Sequence, residues 1–168
     1  MSPLPAGRAG ELVQLLQLSP HPEGGWYHEV FRSAEATPHP DGRGAREALT
    51  SIDFLLAAGE RSAWHRAASD EAWHLLEGGP LRLWLVPPDR SQVHLCTLGR
   101  VGADGQRPRH VVPANWWQAA EPAPGVAYAL VGATVGPGFH FADFTFGRDD
   151  AALVQALPGL RPDTTRLL

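Results

Sequence analysis

From residue 48 to residue 146, short apolar runs follow one another, broken by Gly, Pro and Asp, with no long helical pattern between them. ALTSIDFLLAA, SAWHRA, EAWHLLEG, PLRLWLV, SQVHLCTLG, QRPRHVVPA, WWQAAE, VAYALVGATV and FHFADFTF read as strands at roughly the 8–12-residue spacing of a sandwich or barrel. Parallel strands need crossover connections, usually helices, and no room is left for them here. The expected fold is therefore all-β, an antiparallel double-sheet jelly roll with about ten strands. Helical spacing occurs only near the ends. Leu12, Leu15 and Leu16 predict a short amphipathic helix that stops before Ser19-Pro20. DDAALVQALPGL predicts a second, capped by Asp149 or Asp150 and ending at Pro158-Gly159. One domain is expected over 11–157, after a flexible N-terminus (1–10) and before a C-terminal tail (158–168).

Ahead of the strands lies PHPEGGWYHEVFRS, residues 20–33. Gly24-Gly25 allow a close backbone approach, and Trp26, His28 and Val30 alternate with Tyr27, Glu29 and Phe31, as in a two-faced strand. Residues 34–46 are polar and rich in Pro and Gly, which predicts an exposed loop and a candidate lid, with His39 solvated on it.

Composition narrows the function classes. The formal net charge is −4 and the 14 cations, all Arg, are scattered among acids, so no nucleic-acid partner is expected. No apolar run approaches the ~18 residues of a membrane span, and the start lacks the layout of a signal peptide. A single cysteine, Cys96, fits a reducing compartment and reads as a strand thiol. The expected location is the cytoplasm.

The chemistry concentrates in Gly59–Gly78, GERSAWHRAASDEAWHLLEG. Gly59, His65, Glu71 and Gly78 fall on the spacing of the first cupin motif, while Pro113, Asn115 and Gln118 occupy the places of the second. Together with PHPEGGWYHEVFRS, VVPANWWQAA and VGATVGPGFHFADF, these residues resemble the cupin-5 family (DUF985) of RmlC-like cupins. The resemblance runs from residue 20 to about 146 and implies a cupin barrel, a homodimer and a pocket in the barrel. It departs from the metal-binding pattern at two positions, because Ala67 and Gln118 stand where two histidines would. His65, Glu71 and Gln118 are left as a metal set, and an amide oxygen is a weak ligand for a divalent transition metal. No cofactor is therefore the leading expectation. By period-two alternation His74 faces away from Glu71.

Two function classes follow. In the first, the barrel pocket belongs to a metal-independent epimerase- or isomerase-like enzyme, with His65 as the base. Glu71 or Asp143 would orient it, and the resemblance to sugar-epimerase-like jelly rolls implies a Tyr acid, for which Tyr128 and Tyr27 are the only candidates. In the second, the pocket binds a small molecule without chemistry. A metal-dependent oxygenase or isomerase is a third reading. The ligand expected is a small polar metabolite, sugar-like or nucleotide-sugar-like. Glu23, Tyr27, Arg32, Trp64, Trp73, Trp117 and Gln118 are its candidate contacts, the Trp rings as stacking walls. Arg32 is either an ion-pair partner of Glu23 or a clamp for a carboxylate or phosphate.

Overall fold

A computed structural model describes residues 3–39 and 41–168. Met1, Ser2 and Pro40 lie outside the described residues, so the expectations for 1–10 and 34–46 are answered only in part. In chain order the elements are α1 (Gly7–Leu15), β1 (Ser19–Pro20), β2 (Trp26–Arg32), β3 (Ala36–Pro38), β4 (Ala45–Glu47), β5 (Thr50–Ala57) and β6 (Ser62–Ala67). Then come β7 (Asp70–Gly78), β8 (Leu81–Val86), β9 (His94–Leu98), β10 (Arg109–Val112), β11 (Trp117–Pro122), β12 (Tyr128–Gly136), β13 (Phe144–Phe146) and α2 (Ala151–Leu160).

Two antiparallel sheets face each other, in the orders β1-β2-β5-β12-β7-β10 and β13-β6-β11-β8-β9. This is the jelly roll the strand spacing predicts. Period-two alternation sorts the side chains. Phe54, Leu56, Trp73, Leu81, Leu83, Leu85, Val112, Ala129 and Val131 point between the sheets and fill one end of the barrel. Their neighbours along the strands, Leu55, Ala57 and Leu130, face outward and are covered by α1 through Ala9, Leu12 and Val13. Trp64, Trp84, Val86, Trp117 and Ala119 face outward on the second sheet and are covered by α2 through Leu153 and Leu157. Both terminal helices thus bury the outer face of a sheet, which is why several strands read as unbroken apolar runs.

Five expectations are corrected. The first helix begins at Gly7, inside the stretch read as loose, because burying Ala9 and pairing Arg8 with Glu77 and Glu11 fix its first turn. Residues 34–46 are not a plain loop, since β3 and β4 pair as a hairpin. His39 on it is buried rather than solvated, with Nε2 against Ser69 and Nδ1 2.9 Å from Asp41. FHFADFTF is a strand only at β13, because a 3-10 turn at Phe141–Asp143 precedes it. The second helix also runs past Pro158 to Leu160. Among the described residues no helix is long and apolar enough to cross a membrane.

Candidate functional site

The end of the barrel that Leu and Trp do not fill is hollow. Ala67, Ala133, Val135, Ile52 and Thr50 are the short side chains there, and they leave a cavity of about 580 Å³. His65, Glu71, Glu23, Tyr27 and Arg32, all singled out from the sequence, line it. Sequence reasoning missed His21, Glu29, Glu47, Phe139, His140, Phe141 and Phe144.

His65 sits in β6 opposite Gln118 of β11 and Phe146 of β13. Its Nδ1 lies 2.8 Å from the Ala63 carbonyl and 3.2 Å from Glu23 Oε2. A carbonyl oxygen only accepts, so Nδ1 carries the proton and Nε2 keeps its lone pair. The ring is stacked at 5.2 Å on Phe144, and burial lowers its affinity for a second proton below the ordinary imidazole value.

Glu23 reaches the interior because the Gly24-Gly25 turn packs against the β5–β6 connection. A Cβ on Gly24 would stand 2.0 Å from the Arg61 carbonyl oxygen, and its φ of 110° suits glycine alone. Ser62 Oγ donates to Glu23 Oε1 at 2.9 Å, and burial pushes the carboxyl pKa up to about 8. His21 accepts the Glu23 amide N–H at Nδ1 and rests edge-on against Tyr27. Burial, with His65 nearby, holds its pKa down at about 4.

Glu71, also buried, has its pKa pushed up to about 7, chiefly by desolvation. Its Oε2 accepts from Gln118 Nε2. Gln118 Oε1 in turn accepts from the Trp73 indole at 2.9 Å, which fixes the amide's orientation because an indole N–H can only donate. Gln118 is therefore a support behind Glu71, with its oxygen already engaged. Ala67 has no donor atom, and no group of three His, Cys, Asp or Glu able to hold a metal occurs among the described residues. The His65/Glu71/Gln118 metal set does not fit this arrangement.

At the mouth, Arg32 donates from Nε and Nη2 to Glu29 at 2.9 and 2.7 Å, and Nη1 lies 3.1 Å from Glu47. The expected Glu23–Arg32 ion pair does not form, because Glu23 turns into the barrel and Arg32 to its rim. Phe139, Phe141 and Phe144 pack edge to face, with centroids 5.1–6.3 Å apart, as one wall.

Other candidates lie elsewhere. Trp64 and Trp117 are next to His65 and Gln118 in their strands, so they face the opposite side, under α2. Trp73 shares Glu71's face but lies deeper, against Phe54. The Tyr128 hydroxyl donates to Glu77 at 2.7 Å on the far side of the barrel from the cavity mouth, beside Arg8. The 3-10 turn aims Asp143 away from His65, at Arg46 (2.8 Å) and Arg43 (3.0 Å), which hold its pKa at about 2. His74 does not line the cavity. Glu29 was legible as the residue sharing Tyr27's face in β2. His21, Phe139 and Phe141 come from turns, where alternation gives no signal, while Phe144 opens β13.

Solved structures share this fold. A hypothetical protein from Leishmania major is 31% identical over 96% of both chains, with a TM-score of 0.81. A protein from Shewanella oneidensis is 30% identical over 96% of this chain and 95% of that one, with a TM-score of 0.78. Oxalate decarboxylase from Bacillus subtilis shares the fold alone, at 15% identity and a TM-score of 0.56 over 89% of this chain and 36% of that one. No curated protein matches. The family model described as the cupin superfamily (DUF985) matches residues 10–147, and the chain belongs to that family, Cupin_5.

Proposed function

We propose that the cavity is an acid–base site, and that the protein is a metal-independent isomerase- or epimerase-type enzyme acting on a small polar carbonyl compound. The observation that carries this reading is the 2.8 Å contact between His65 Nδ1 and the Ala63 carbonyl, which leaves Nε2 to accept. His65 Nε2 takes the proton from the carbon next to the carbonyl. Glu23, 3.2 Å from Nδ1, faces the imidazolium, whose charge is balanced by the Glu71 carboxylate left when Glu71 gives up its proton. Glu71, protonated over part of the neutral range, donates its proton to the carbonyl oxygen as the enolate forms. The imidazolium then gives its proton to the same carbon or its neighbour, and an enediol O–H returns one to Glu71, which completes the cycle.

The test is solvent-deuterium incorporation by NMR, with glyceraldehyde, dihydroxyacetone and a set of aldoses and ketoses in D2O. Wild type should label the carbon beside the carbonyl. His65→Gln should slow labelling by roughly 10²–10⁴-fold and Glu71→Gln by at least about tenfold. Equal rates in wild type and His65→Gln would refute the assignment. Binding without labelling would support the reading as a small-molecule binding protein.

We also propose a homodimer formed through the outer face of the six-stranded sheet, where Phe31, Leu76 and Val111 are each more than half exposed. A sedimentation mass of one chain at micromolar concentration would remove it.

A further inference from the structure

We infer that the cavity admits a ring-bearing ligand rich in O–H or N–H donors and carrying no negative charge, and that it turns phosphorylated and carboxylated ligands away. The inference rests on the reading of this cavity as a small-molecule site.

The mouth carries it. Arg32 is the one guanidinium lining the cavity among the described residues. Its Nε and Nη2 are bonded to both oxygens of Glu29, and its Nη1 lies 3.1 Å from Glu47. Both terminal nitrogens also reach the Phe139 carbonyl at 3.4 Å. An entering phosphate or carboxylate would have to displace a bidentate carboxylate to reach this cation. It would do so next to two carboxylates facing one guanidinium, which leaves the rim with an excess of negative charge. The same excess supplies acceptors. Glu29 and Glu47 keep lone pairs that Arg32 does not use. Beside them, Phe139, Phe141 and Phe144 offer apolar surface, and Phe141 is 56% exposed. Acceptors beside an aromatic wall suit a ring with one apolar face and donors at its edge. Hydroxyls and ammonium groups both meet that description, and the test separates them.

The experiment uses the full chain and matched ring compounds, read by ligand-observed NMR and titration calorimetry. Glucose, glucosamine, glucose 6-phosphate and glucuronate form one set; adenosine and adenosine monophosphate form another; inorganic phosphate is the anion alone. The expected result is binding by a neutral or amino member, at least about tenfold tighter than its phosphate or carboxylate counterpart. The Glu29→Gln/Glu47→Gln double variant should shrink that gap, because it removes the negative excess and frees Arg32. A preference for glucosamine over glucose would identify the donor as an ammonium group, and the reverse as hydroxyls. Tighter binding of a phosphorylated or carboxylated member, or of inorganic phosphate, overturns the inference, as does a panel in which no member binds. His65→Gln separates this inference from the acid–base reading. It should keep the selectivity while losing proton exchange, so selectivity without exchange in wild type sinks only the acid–base reading.

Discussion

At the scale of single residues, four ionisable side chains share the closed end of the cavity, and burial biases all of them toward neutrality. His21 and His65 are held low, while Glu23 and Glu71 are held high. For Glu71 the sign is fixed. A carboxyl whose folded pKa is about 7 binds its proton more tightly folded than unfolded, so its contribution is complete below about 4.5 and lost as pH rises to 7. Glu71→Gln removes that dependence and can still accept from Gln118. Denaturant unfolding should show the variant gaining on wild type by roughly 1–3 kcal/mol between pH 5 and 7.5. Parallel curves would contradict a buried, proton-holding Glu71. His65 and Glu71 were legible in the sequence because each keeps the inward phase of its strand. Trp64 and Trp117 show the same rule from the other side, since adjacency to His65 and Gln118 puts them outside the barrel. Glu23's role was not legible, because a glycine turn rather than a strand delivers it.

At the scale of elements, the cavity roof is assembled from pieces with no strong pattern of their own. The β3–β4 hairpin is latched to the 3-10 turn at Phe141–Asp143 by Arg46 and Arg43 on a side chain of Asp143 that is 6% exposed. Phe139 N–H donates to Thr50 Oγ1, and Gly138 N–H to the Glu47 carbonyl, so hairpin, turn and β5 are tied together. Asp143→Asn should speed hydrogen exchange at the hairpin amides, those of His39 and Ala48 among them, and cost roughly 1–3 kcal/mol. Unchanged exchange there would show that the latch does not hold the hairpin. The wild-type latch is complete above pH 3.8 and fails as pH falls through about 2, because Asp143's folded pKa is depressed. The terminal helices were legible from their apolar spacing, though the docking that extends α1 back to Gly7 was not. Leu157 is fully buried against the Trp64, Trp84 and Trp117 cluster. Leu157→Ala should cost about 2–5 kcal/mol and perturb Trp fluorescence; a loss below 1 kcal/mol would mean that α2 docks elsewhere.

For the whole molecule, the jelly roll was legible because turn punctuation and period-two alternation survive through most strands. The exception, FHFADFTF, is where the chain leaves the sheet to build the cavity's aromatic wall. Large side chains fill one end of the barrel and small ones leave the other hollow, so the fold itself sets where ligand and proton chemistry meet. The most direct measurement is a nitrogen-15 titration of the His65 imidazole in the intact protein. The expected result is a neutral ring at pH 7, protonated at Nδ1 and bare at Nε2, that stays neutral below the ordinary imidazole pKa of about 6.5. An Nε2–H tautomer, or an imidazolium at neutral pH, would contradict His65 as the base.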